Sequence, residues 1–146
     1  MIRVLVSPDP IDAAAELARL ERSGVGGVAT FTGLVRADDG VELLELEHYP
    51  GATEAALTRL AEKAASRWSL AAAAVVHRVG PMKPGERIVF VAAAAAHRAA
   101  ALEACAFLID RLKTDAPFWK RETRGTERRW VEAREVDAAT AERWSR

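Results

Sequence analysis

Two lysines, Lys113 and Lys120, stand close together in the stretch from His97 to Glu122, HRAAALEACAFLIDRLKTDAPFWKRE. A lysine near other cations is driven toward its neutral form, because like charges disfavour protonation. A neutral amine can act as a base or attack a carbonyl. Lys120 is followed by Arg121 and Glu122. On an extended strand Phe118, Lys120 and Glu122 share one face, while Trp119 and Arg121 share the other. Glu122 would then sit beside Lys120 and could orient it. The plainer reading is a solvated surface with a helix-terminal lysine favoured by the helix dipole. The same stretch opens on His97-Arg98. If a helix starts there, its free N–H groups and macrodipole attract an anion, and an arginine adds a fork of donors suited to phosphate. The plainer reading is a solvated helix start. A third cation, Arg36, closes VATFTGLVR beside the polar loop Ala37-Asp38-Asp39-Gly40. It is either a ligand anchor or an ordinary strand-end charge.

Other chemistry finds little support. Cys105 lies mid-helix on an apolar stripe and reads as a small buried hydrophobe, not a nucleophile. His48, His77 and His97 are scattered without metal-ligand spacing, so no protein metal site is expected. Neither GxxxxGK[ST], GxGxxG nor GxSxG occurs, which argues against a nucleotide loop or a serine elbow. No cofactor is expected. The 21 Lys and Arg balance the 21 Asp and Glu. Net charge near zero gives no global attraction to nucleic acid or anionic membrane, though it leaves room for a local basic pocket. A single cysteine forms no internal disulfide and suits a reducing cytoplasm. The N-terminus does not read as a signal peptide, and no stretch is long and apolar enough to span a membrane. The abundant alanine reads as compositional bias.

The elements that must position these cations follow from periodicity. The 146 residues fit one domain with one core. Ile2, Val4 and Val6 alternate as a first strand. Ile11 to Arg22 reads as a helix with Ile11, Leu17 and Leu20 inward, stopped by Gly24, Gly26 and Gly27. Val28 to Arg36 is a strand, and Val41 to Tyr49 is expected to pair back on it as a hairpin. Ala52 to Trp68 is a helix, Ala73 to Val79 a strand, and Gly80 to Gly85 turns. Glu86 to Ala95 is nearly continuously apolar, the mark of a central strand covered on both faces. The helix after His97 carries Leu102, Cys105, Ala106, Ile109 and Leu112 at spacings of three and four. It should end before Pro117, because the residue preceding proline is pushed out of the helical region. Phe118 to Thr123 and Arg129 to Ala133 flank Gly125 as a last hairpin, and residues 136–146 form a charged tail. The order points to α+β, with helices on one side of a mainly antiparallel or mixed sheet.

Several stretches together resemble the large, catalytic subunit of molybdopterin synthase. They are FTGLVR (31–36), LELEHYPGATE (44–54), HRVG (77–80), PGERIVFV (84–91), AHRAAALEACAFLIDRLKTDAPFWKRE (96–122) and RWVEARE (129–135). They fall in order within residues 31–135, a span of roughly three quarters of the chain, and LKTDAPFWKRE with the upstream His-Arg is highly specific. The resemblance implies an α/β hammerhead-like fold with an additional antiparallel sheet, as a single domain over residues 1–146. It implies sulfur transfer from the C-terminal Gly-Gly thiocarboxylate of a small ubiquitin-like subunit to cyclic pyranopterin monophosphate. The product would be the dithiolene of molybdopterin, on the path to the molybdenum cofactor. It also implies a homodimer of large subunits with a small subunit at each end.

Carried over by motif, Lys113 and Lys120 match the lysines held essential for sulfur transfer, and Arg121 and Glu122 complete the second lysine's motif. Arg36, His97 and Arg98 match pterin- or phosphate-binding positions. Arg134 matches an arginine that reaches a pocket across the dimer. The chain departs from the pattern at Leu34, where many relatives have lysine, and at Ala52, where methionine is common. Two other readings compete. One is a non-catalytic adaptor binding a ubiquitin-like partner's tail by strand addition, which would not need both lysines. The other is an enzyme acting on a different phosphorylated heterocycle.

Overall fold

The computed structural model describes residues 1–131. The elements run β1 (Ile2–Ser7), α1 (Ala13–Leu20), β2 (Gly27–Leu34), β3 (Leu43–His48), α2 (Ala52–Trp68), β4 (Ala72–Arg78), β5 (Gly80–Met82), β6 (Arg87–Ala95), α3 (Arg98–Asp115), β7 (Phe118–Arg124) and β8 (Glu127–Val131). A short 3-10 turn at Asp38–Gly40 lies between β2 and β3. The strands form two four-stranded sheets, ordered β1-β4-β6-β2 and β5-β3-β7-β8. Only the β1–β4 pair among them is parallel. This is the α+β class that the element order predicts.

Alternation along β6 decides how the first sheet is covered. Val89, Val91, Ala93 and Ala95 point to one face, where Leu57, Leu60, Leu108 and Leu112 of α2 and α3 meet them. Phe90, Ala92 and Ala94 point to the other, against Ile11 and Leu20. Each fully buried leucine here, such as Leu57 or Leu108, contributes about 1.5–3 kcal/mol. The β6 segment is thus central and covered on both faces, as its apolar run predicts. A smaller core of Val35, Leu44, Leu46, Val79 and Met82 seats the second sheet, with Val6, Ile88 and Phe118 packed against both this core and the larger one. One glycine is fixed by close approach. A Cβ on Gly26 would lie 2.0 Å from the Ala96 carbonyl oxygen, where the chain passes the end of β6.

Four expectations need correction. The segments 28–36 and 41–49 are both strands, but they do not form a hairpin. β2 pairs with β6, while β3 pairs with β5 and β7. A register shift at Gly33/Leu34 and bonds from Val35 N–H to Glu86 O and from Gly85 N–H to Val35 O carry the chain past the sheet edge. Second, the helices are not on one side: α1 covers the face of the first sheet opposite α2 and α3. Third, Leu102 is 62% exposed, and α3 buries Ala101, Ala104, Cys105, Phe107, Leu108 and Leu112. The helix is rotated toward its alanines because small residues let it approach the alanine-lined sheet and Ala61 and Ala64 of α2. The alanine content is therefore structural, not a bias without meaning. Fourth, Gly80–Met82 is a short strand and not only a turn. Residues 132–146, with Arg134 and the charged tail, lie outside the described residues. Among the described helices none is long and apolar enough to cross a membrane.

Candidate functional site

The helix α3 sets the positions of most of the predicted cations. It is unbroken over 18 residues. His97 is its N-cap in extended backbone, φ −131° and ψ 148°, with no side-chain capping bond. Arg98 opens the first turn beside Gly27, and both His97 and Arg98 are exposed. Lys113 sits in the last turn. The helix ends where the sequence predicts. Ala116 turns extended before Pro117, φ −86° and ψ 126°, while its N–H still donates to Leu112 O at 3.3 Å. At 1.5 Å rise per residue, His97 and Lys113 are separated by roughly 24 Å along the axis.

Topology sorts the remaining residues to one end or the other. Because β6 runs out and α3 returns, the helix C-terminus lies at the Arg87 end of β6. Leu34 of β2 pairs with Arg87, so Arg36 leaves the sheet at that end too. Arg36 is exposed and pairs with Asp38 at 3.2 Å. In the second sheet Lys120 is opposite Leu46 and Glu122 opposite Leu44. Directly opposed residues share a face, and Leu44 and Leu46 are buried toward the first sheet. Lys120 and Glu122 therefore share one face, as strand alternation predicts, and the pairing makes it the inner one. Glu122 accepts an ion pair from Arg124 at 2.7 Å.

Arg121 lies on the outer face. It donates to Glu45 at 2.6 Å, Arg128 reaches the same carboxylate at 3.0 Å, and the guanidinium of Arg121 stands over the Trp130 ring at 5.3 Å. The bond from Arg121, then the one from Arg128, holds the Glu45 carboxyl below the usual carboxylate range. The structure thus gathers Arg36, Lys113, Lys120, Arg121 and Glu122 at one end, with Arg121 turned away from Lys120. It leaves His97 and Arg98 at the other.

His77 is one of three histidines that show no metal-ligand spacing in the sequence. It is 4% exposed. Its ring stacks on Phe118, centroids 4.1 Å apart and planes at 25°. Nδ1 lies 2.8 Å from the Arg78 carbonyl oxygen. A carbonyl can only accept, so Nδ1 carries the proton. Burial is the main cause that pushes the pKa down to about 4; the bond to Arg78 opposes it, and Lys113 and His48 add to the depression. The HRVG segment could have pointed to it only through a tertiary contact with Phe118, which no local pattern shows.

The depressed value has a measurable consequence. An unfolded histidine titrates near 6.5, so below that pH the unfolded chain binds the proton first. Stability contributed by His77 is therefore present at neutral pH and is lost as pH falls from about 6.5 toward 4. Urea unfolding at pH 7 and pH 5 should show a loss of about 2 kcal/mol from this group. In His77→Gln the difference between the two pH values should shrink by about that amount.

Cys105 is buried, its Sγ 3.9 Å from the Val91 carbonyl, and burial pushes its thiol up to about 11. That is an inert thiol, as read from the sequence. Among the described residues, no three His, Cys, Asp or Glu side chains stand together as a metal site.

Comparison with known proteins bears on the same segments. Residues 6–115, from β1 to the end of α3, match the family model described as MoaE protein. The molybdopterin synthase catalytic subunit of Mesorhizobium japonicum is 51% identical over 146 aligned residues, covering 97% of this chain and 92% of the relative. The subunit of the same name from Escherichia coli K12 is 49% identical, covering 97% of each. The solved structure of molybdopterin cofactor biosynthesis protein E from Burkholderia multivorans superposes with a TM-score of 0.87 at 49% identity, covering 100% of this chain and 98% of that one. These alignments span the β7 segment that holds Lys120 as well as the family-model region, and on them this chain belongs to the MoaE family, that of the molybdopterin synthase catalytic subunits.

Proposed function

We propose that this chain transfers sulfur from the C-terminal thiocarboxylate of a small ubiquitin-like subunit to cyclic pyranopterin monophosphate, building the dithiolene of molybdopterin. The observation that carries the reading is the placement of Lys113 and Lys120 on either side of one corner. One is in the last turn of α3 and the other on the inner face of β7. Passing sulfur from an acyl carrier to carbon calls for proton transfer and stabilisation of developing negative charge. Two lysines supply both. The substrate is an anion, and in a chain of zero formal net charge it needs local cationic anchors. Arg36 at the lysine end and His97 with Arg98 at the start of α3 fill that role. Glu122, on the face of Lys120, helps to orient the lysine, and Arg121 braces β7 from behind through Glu45. Arg134 is the further cation that the family motif supplies.

The roughly 24 Å between the ends of α3 is too long for one small substrate to bridge. The site is therefore shared: His97 and Arg98 of one copy complete the lysine pocket of a second. A two-fold dimer makes two equivalent composite sites, each with a small subunit, and so a heterotetramer. The relatives' name, catalytic subunit, supports a second kind of subunit, and the unpaired Cys105 suits a cytoplasmic setting.

The test is formation of molybdopterin in vitro from cyclic pyranopterin monophosphate and thiocarboxylated small subunit. No product from correctly assembled protein overturns the reading. Within it, Arg36→Ala and Arg98→Ala should each weaken pterin binding by about tenfold or more, the value of a charge-assisted hydrogen bond. Small-subunit binding should stay unchanged. Calorimetry that finds equal losses for both ligands would contradict these roles.

A further inference from the structure

Between the two lysines lies a corner, and three consecutive residues of it are each held by a side chain from a different part of the fold. The Thr53 hydroxyl, at the start of α2, donates to the Pro117 carbonyl oxygen at 2.9 Å. The same hydroxyl accepts from Tyr49 N–H at 2.9 Å, and Thr53 N–H donates back to Tyr49 O at 2.9 Å. Thr53 is fully buried. Phe118 is stacked on His77 of β4. Trp119 donates its indole N–H to the Tyr49 hydroxyl, just past the end of β3. The next residue is Lys120.

We infer that Thr53, seconded by His77 and Tyr49, is a positioning residue that fixes Lys120 relative to Lys113; its consequence for catalysis rests on the function proposed above. Proline offers no N–H, and the Ala116 N–H is spent on Leu112 O. The β7 ladder begins only at Phe118, opposite His48. Pro117 O is thus tied to the body of the protein by Thr53. Without the hydroxyl, Pro117 O and Tyr49 N–H would both lose a buried partner, an outcome that drives local rearrangement. The chain would shift at the point where helix becomes strand, so the angle and distance between the two lysines would change. A misplacement of about 1 Å in a reacting group is enough to lower a rate by about 10²-fold. The local pair with Tyr49 can form at the start of the helix alone, but position 53 meets Pro117 only in the folded chain.

The experiment compares Thr53→Val, which keeps the shape and loses the hydroxyl, with Thr53→Ser, which keeps the hydroxyl. Both are assayed as the assembled complex with thiocarboxylated small subunit. Thr53→Val should lower kcat about 10- to 100-fold, with the pterin KM and small-subunit affinity unchanged, and Thr53→Ser should recover most of it. Acylation of lysines by a small amine-reactive acyl donor such as acetic anhydride, which releases acetate, read by mass spectrometry, gives a second measure. The ratio of Lys120 to Lys113 labelling should change in Thr53→Val and return in Thr53→Ser. A folded Thr53→Val with wild-type kcat and labelling ratio overturns the inference. So does a kcat loss shared equally by both variants in step with their melting temperatures. Should Thr53→Val fail to fold, Tyr49→Phe removes the acceptor for Trp119 and must shift the same ratio, or the inference falls. A wild-type complex that transfers no sulfur would overturn the assigned reaction alone, since labelling still decides the positioning.

Discussion

Lys113→Ala and Lys120→Ala should each lower molybdopterin formation by at least about 10²-fold, the usual contribution of a positioned acid or base. Neither lysine belongs to the buried cores that hold the two sheets together, so both variants should keep the melting temperature and the small-subunit affinity of the parent. Lys120→Arg should fail almost as badly. Arginine keeps the positive charge but stays protonated at any working pH, so it can anchor an anion and cannot exchange a proton. The outcome of that one substitution separates two roles. Full activity in Lys120→Arg would reduce Lys120 to an electrostatic anchor, and full activity in either alanine variant would remove that lysine from the chemistry. A parent complex that binds the small subunit but transfers no sulfur would leave the adaptor reading standing, since an adaptor does not need both amines.

Two inactive proteins should restore each other. A His97→Ala/Arg98→Ala double variant keeps its lysines, and a Lys120→Ala variant keeps its helix start. In a mixed dimer one composite site takes intact lysines from the first and an intact His-Arg pair from the second, while the other site lacks both. Random reassociation of equal amounts makes half of the dimers mixed, so about a quarter of the parental activity should return. The expectation follows from α3 being unbroken over 18 residues, which keeps the two groups of cations roughly 24 Å apart within a chain. Verified mixed dimers without activity, from variants that each fold, would confine the site to one subunit.

Much of this could be read from the sequence because its causes are local. Periodicity marked every helix and nearly every strand. Ala52–Trp68 was bounded by Pro50-Gly51 before it, and Pro117 ended the third helix through the steric demand on the residue before proline. Alternation on β7 placed Lys120 and Glu122 on one face before any partner strand was known. Family kinship was legible in LKTDAPFWKRE and the upstream His-Arg.

Partner choice was not legible. Alternation says that a segment is a strand but not which strand lies beside it, so 28–36 and 41–49 looked like a hairpin when each belongs to a different sheet. The buried face of α3 is legible at Cys105, Ile109 and Leu112 but not at Ala101 and Ala104, because alanine is nearly silent in a hydrophobic pattern, while its small size is what lets helix and sheet approach. Arg121 sits next to Lys120 in sequence, yet Glu45 and Trp130 hold it on the opposite face. His77 and Thr53 lie in stretches that carry the family resemblance, HRVG and LELEHYPGATE, but nothing in those stretches shows what the two side chains touch. Their partners, Phe118 and Pro117, are about forty and sixty-four positions further along the chain, and contacts of that range exist only once the sheets and helices have packed.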